Sequence, residues 1–126
     1  MPKKTHPTPV KTSWNRVADW YADHVREGGE YQHKIIFPGA LRLLASKQTG
    51  SYLDIACGEG AFLRLFKSTF QQTELVGFDV SPKLIEYAKR GGGGPTFLVA
   101  DATRFSHLFP ARSFDGATCL LAIQNI

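Results

Sequence analysis

From residue 51 to the end, short apolar runs alternate with helical segments, and this alternation limits the possible folds more than any other feature. Strands are predicted over 51–56, 74–79, 96–100 and 114–121, helices over 59–69 and 82–90, and a loop or short helix over 103–109. Such alternation predicts a parallel sheet covered by helices. The runs YLDIA, LVGFD, TFLVA and FDGATCLL are too apolar for a sheet with one wet face, so coverage on both sides is expected. The fold class is α/β.

Two helices are predicted ahead of the first strand. Residues 1–12, rich in Pro, Thr and Lys, read as a basic tail. Ser13 is placed to cap a helix beginning at Trp14, with Trp14, Val17, Ala18, Tyr21 and Val25 on one face and a stop at Gly28-Gly29. A second helix is predicted from Tyr31 to Ser46, interrupted or kinked at Pro38, with Leu41, Leu43, Leu44 and Ala45 making apolar contacts. Residues 13–126 are then one domain.

A chain of 126 residues is long enough for one core. With 43% hydrophobic and 21% charged residues it belongs with neither disordered nor membrane proteins, and no apolar run reaches the roughly 18 residues of a spanning helix. The basic N-terminus is not followed by an apolar stretch, so it does not read as a secretory signal; a soluble, cytoplasmic protein is expected. Cys57 and Cys119 are too few for a disulfide framework, have no metal-ligand spacing and read as buried thiols. The net charge of +4 invites a nucleic-acid partner, but three lysines lie in the first eleven residues, and no stripe of basic and aromatic residues supports that reading.

Asp54 poses the chemical question, because a carboxylate inside a buried strand is costly unless something compensates it. The turn that follows, Ala56-Cys57-Gly58-Glu59-Gly60, is the obvious partner. Asp79 closes the next strand, 21 positions after Gly58, the spacing at which nucleoside-binding α/β units place an acid for ribose hydroxyls. Asp101 ends the third strand. Three carboxylates are thus expected along the carboxyl edge of the sheet, where open α/β folds bind ligands. Asp79→Ala is expected to weaken that binding and leave the fold largely intact.

The nucleoside is narrowed by what the turn lacks. A dinucleotide site favours G-x-G-x-x-G, but Leu63 stands at the last position, and the charge of Glu59 would repel a pyrophosphate. Both count against a nicotinamide-dependent oxidoreductase. No Gly-Lys-Ser/Thr follows the glycines, so a P-loop is excluded. The site calls for a ligand that is cationic and free of phosphate.

Asp54-x-Ala56-x-Gly58-x-Gly60 resembles the first motif of class I S-adenosylmethionine-dependent methyltransferases, usually Asp/Glu-x-Gly-x-Gly-x-Gly, with alanine at the first glycine. Asp79, the Asp101-Ala102 pair and FDGATCLLAIQNI are similar to that family's second, third and fourth motifs, in order. The resemblance spans residues 13–126 and implies a Rossmann-like parallel sheet. It also implies S-adenosylmethionine as cofactor and S-adenosylhomocysteine as product. Ala56, Cys57, Gly58 and Gly60 would face the methionine part, with Asp54 ordering the loop and the ammonium group. Asp79 would take the ribose hydroxyls and Val80 would pack on the adenine. Asp101 would accept from the adenine amino group, and the Ala102 backbone would bond a ring nitrogen. Leu120 and Leu121 would border the ammonium and the methyl, while Tyr21 and Tyr31 would lid the site.

Methyl transfer from a sulfonium needs alignment more than a dedicated base. His24, His33 and His107 read as surface or packing residues, and no catalytic residue is assigned. The family's sheet runs 3-2-1-4-5-7-6, and this chain supplies its first four strands, order 3-2-1-4. The implied protein is the cofactor-binding half of a methyltransferase acting on a small molecule, truncated after the fourth strand. The alternative is a non-catalytic binding or structural fragment. The apolar fourth strand would be an exposed edge through which two chains could form a homodimer. The run Gly91–Gly94 reads as a low-complexity linker.

Overall fold

β1 (Thr49–Ile55) is the axis of the sheet. In the computed structural model, which describes residues 13–26, 31–44 and 48–126, it pairs in parallel with β2 (Gln72–Asp79) on one side and β4 (Gly116–Thr118) on the other. β3 (Thr96–Val99) adds to the far side of β2, again parallel, so the order is β3-β2-β1-β4 as expected. Between the strands run α3 (Ala61–Thr69), α4 (Pro82–Gly91) and a 3-10 turn at Ser106–Leu108. Ahead of them lie α1 (Ser13–Arg26), a π-helical turn (Gln32–Ile36) and α2 (Phe37–Leu44). The expected tail over 1–12, the stop at Gly28-Gly29 and the contacts of Ala45 fall outside the described residues. So do the side chains of Ser13, His24 and Val25.

Pro38 explains the turn before α2. In a regular α-helix its ring would clash with the carbonyl four residues back; here the preceding turn is widened, with the Phe37 N–H donating to Gln32 O, five residues back. Phe37, Ala40, Leu41 and Leu44 then face the core at helical spacing. Leu43, expected among them, points outward and is 85% exposed. On α1 it is Ala18 and Ala22 that are fully buried, whereas Val17 is exposed. These small residues suit a close approach to α4, and the two helices are tied at its start. Ser81 Oγ donates to Asn15 Oδ1 (2.6 Å), and Lys83 pairs with Asp19 (2.8 Å).

On one face of the sheet Tyr52, Leu75 and Phe97 pack with Phe62, Leu63 and Phe66 of α3 and Ile85 and Ala88 of α4. The bulk of Leu63 is admitted by Gly77 of β2, where a Cβ would stand only 2.8 Å from Leu63 Cδ1. On the other face Phe78 is fully buried, its ring 4.8 Å from that of Phe105.

β4 is much shorter than the predicted 114–121. Phe114 turns to pack on Phe109, with ring centroids 5.0 Å apart, while Asp115 clamps the start of β1 by accepting from Ser51 N–H (2.9 Å). Beyond Thr118 the chain leaves the sheet, and Leu121 takes a left-handed φ of 56° that no strand can hold. The sheet edge therefore offers three residues for pairing. No described helix is long and apolar enough to cross a membrane.

Candidate functional site

The three strand ends bring Asp54, Asp79 and Asp101 to the carboxyl edge of the sheet, but each is held differently from the sequence expectation. Asp79, buried, accepts from Gly58 N–H through Oδ2 (3.0 Å) and from Ser81 N–H through Oδ1 (2.9 Å). Burial raises its pKa, and the N–H groups of Ser81, Gly58 and Val80 oppose the rise. Asp54 accepts from Thr118 Oγ1 of β4 (2.7 Å). Burial pushes its pKa up to about 7, a rise partly offset by the Thr118 bond and increased by the charge of Asp79. The glycine turn is thus pinned by Asp79 rather than by Asp54, because the turn doubles back over the end of β2; Cys57 N–H also donates to Phe78 O (2.8 Å). Asp101 is more exposed. It closes a local turn by accepting from Thr103 Oγ1 (2.7 Å) and Thr103 N–H (2.8 Å), which lowers its pKa.

Two adjoining cavities open here. The larger, about 230 Å³, is lined by the expected Tyr21, Ala56, Gly58, Asp79, Val80, Asp101, Ala102, Leu120 and Leu121. Asp54 and Cys57 line the smaller, about 30 Å³, together with Tyr21, Ala56, Leu120 and Leu121. Two expected residues line neither. Tyr31 is 58% exposed; the widened turn brings its neighbour Gln32 to the site instead. Gly60 serves the fold: a Cβ on it would stand 2.6 Å from the Phe97 ring.

Tyr21 reaches over the turn so closely that a Cβ on Gly58 would meet its ring at 3.1 Å. Trp14 stands edge-on to it, ring centroids 5.5 Å apart. Burial raises the pKa of Tyr21, with a hydrogen bond from Gln32 opposing and the charges of Asp79, Glu59 and Asp54 adding. The phenol is therefore neutral. Glu59 is buried and ion-paired with Arg64, whose Nη1 also donates to Glu59 O (2.8 Å). Its charge is compensated, and Leu63 rests on Gly77, so neither residue opposes a dinucleotide on the grounds the sequence offered.

Burial pushes the Cys57 thiol up, as do the charges of Asp54 and Asp79, so it is not a nucleophile at neutral pH. Cys119 is half-buried rather than buried. His33 packs edge-on to Phe37 and His107 is exposed; neither lines a cavity. Trp14, Gln32, Leu84 and Asn125 line the larger cavity, and Gln32 and Glu59 the smaller, without having been singled out as ligand contacts in the sequence. Glu59 and Arg64 stand five residues apart across a turn and a helix start, outside the three- and four-residue spacing that marks a helical pair.

The lining decides the chemistry. Asp54, Glu59, Asp79 and Asp101 contribute carboxylates, and among the described residues no lysine or arginine lines either cavity. Trp14, Phe78, Val80, Leu84 and Leu120 supply apolar walls.

Comparison with known proteins bears on the family and the fold. A family model described as "Methyltransferase domain" matches residues 53–126. A demethylmenaquinone methyltransferase of Thermotoga maritima is 36% identical over 73 residues, covering 58% of this chain and 31% of that protein. Its namesake from Deinococcus radiodurans is 32% identical over 77 residues, with the same coverage. The chain therefore spans about a third of the length of these relatives. Among solved structures, the PH0226 protein of Pyrococcus horikoshii superposes with a TM-score of 0.57 at 32% identity, over 70% of this chain and 42% of that one. PKMT2 of Rickettsia typhi, in complex with AdoHcy, superposes with a TM-score of 0.51 at 25% identity, over 57% of this chain and 15% of its own.

Proposed function

The chain belongs to the methyltransferase-domain family, and from that premise we propose that it binds S-adenosylmethionine at the carboxyl edge of its sheet and serves methyl transfer to a small apolar molecule. One observation carries the reading: buried carboxylates line the cavities, and no lysine or arginine does among the described residues. A phosphorylated nucleotide in the larger cavity would meet repulsion from Asp79 and Asp101, with no described lysine or arginine to offset it, whereas a sulfonium-bearing nucleoside gains from them. The complex of PKMT2 with AdoHcy supports the same cofactor.

Asp79 takes the ribose hydroxyls with the lone pairs left free by Gly58 and Ser81. Val80 and Leu84 pack on the adenine, and Asp101 with the Ala102 backbone reads its edge. The cofactor supplies a methyl group on a sulfonium, open to in-line displacement. Trp14, Tyr21, Leu120 and Leu121 wall the site, excluding water and aligning the acceptor. No described histidine reaches the cavities, so no residue of this chain is assigned as base. The apolar walls support an apolar acceptor, and so do relatives named for demethylmenaquinone.

Isothermal titration with S-adenosylmethionine and S-adenosylhomocysteine tests the proposal, with ATP and NAD as controls. Saturable micromolar binding of the first two alone is expected. A folded chain that binds none of them, or binds the phosphorylated controls as well, overturns it.

A further inference from the structure

Gln32 belongs to none of the motifs, yet it lines both cavities, together with Tyr21, Ala56, Leu120 and Leu121. Its Oε1 is buried without a partner. Among the described residues one other buried side-chain oxygen has no partner, and it is Glu59 Oε1. Glu59 lines the same small cavity, its second oxygen held by Arg64. Buried acceptors are rarely left unmet. Two of them, one from the π-helical turn before α2 and one from the glycine turn, lie on one cavity that Asp54 also lines. That cavity, about 30 Å³, has room for a group the size of water or ammonium and not for a ring.

We propose that Gln32 Oε1 and Glu59 Oε1 together accept hydrogen bonds from the α-ammonium of S-adenosylmethionine, making the π-helical turn before α2 a part of the cofactor site. The inference rests on the preceding reading and moves the ammonium from Asp54, whose Oδ1 is taken by Thr118, to a pair formed across two elements. A bound cofactor then ties the turn before α2 to the glycine turn.

The test compares S-adenosylhomocysteine with 5′-methylthioadenosine, which keeps the nucleoside and thioether and lacks the amino-acid group. Both are titrated into the whole chain and into Gln32→Met and Gln32→Glu. Gln32→Met is expected to bind S-adenosylhomocysteine about tenfold more weakly and 5′-methylthioadenosine unchanged, while Gln32→Glu, which keeps an acceptor, retains both. Equal weakening of both ligands by Gln32→Met would make Gln32 a packing residue and overturn the proposal, as would no weakening at all. If the unaltered chain binds 5′-methylthioadenosine as tightly as S-adenosylhomocysteine, the ammonium pocket falls and the nucleoside site stands. If it binds neither, the cofactor assignment itself falls.

Discussion

Both oxygens of Asp79 hold backbone N–H groups, Gly58 on one side and Ser81 on the other, so replacing it removes more than a ligand contact. Asp79→Ala is expected to weaken S-adenosylmethionine binding at least tenfold and also to lower stability by about 2–4 kcal/mol, since two buried donors lose their acceptor. Parallel titration and urea denaturation check this; an intact denaturation midpoint would return Asp79 to the purely ligand-binding role the sequence suggested. Asp54 yields a pH dependence. Folding raises its pKa from 3.8 to about 7, so the folded state holds the proton more tightly. Stability is then highest below pH 4 with respect to this group, is lost as pH rises toward 7, and is level above, by at most about 4 kcal/mol. Asp54→Asn should flatten that profile in denaturant titrations at pH 5 and pH 8. Ala56 stands where the family has glycine, at a φ of 56°. The left-handed conformation costs an alanine roughly 1–2 kcal/mol, and glycine loses about 0.5–1 kcal/mol of that advantage through its greater unfolded freedom. Ala56→Gly should therefore raise stability by up to about 1 kcal/mol, measured by thermal or urea unfolding.

At the scale of elements, the glycine run between α4 and β3 is shaped by packing. The Arg64 side chain lies along it, and a Cβ on Gly93, whose φ is 87°, would stand 2.9 Å from Arg64 Cγ. Since Arg64 also pairs with Glu59, the run lets one side chain cross from α3 to brace the turn at the site. Gly93→Ala should cost roughly 1–3 kcal/mol in a urea midpoint comparison; a neutral effect would make the run the plain linker that its composition suggests. The elements themselves were legible because periodicity and turn residues are local signals. The convergence of Asp54, Asp79 and Asp101 followed, since each ends a strand of one parallel sheet, while the order of the strands came from the family resemblance. What was not legible is what those ends touch. The partner of Asp54, Thr118, lies 64 residues away, Leu63 is admitted by a glycine on the neighbouring strand, and Gln32 reaches the cavities through a helical irregularity imposed by Pro38. The motif shows where a ligand sits, and tertiary packing decides which side chains surround it.

Across the whole molecule, charge is divided by function. The chain is basic, with a net charge of +4, yet its cavities are lined by carboxylates and by no described lysine or arginine. One structural asymmetry also sets an order in time. β1 meets β2 along seven register pairs, Thr49↔Gln72 to Ile55↔Phe78. It meets β4 along three, Tyr52↔Gly116 to Asp54↔Thr118, across a loop of some sixty residues. Long loops are slow to close and short ladders are quick to open, so β4 is expected to dock on β1 later than β2 does and to exchange its amide protons with solvent sooner than β2, an order that hydrogen exchange reads. The cavity wall at Leu120 and Leu121 follows directly from that strand, so the ligand site is complete only while β4 is docked, and a bound ligand holds β4 in place.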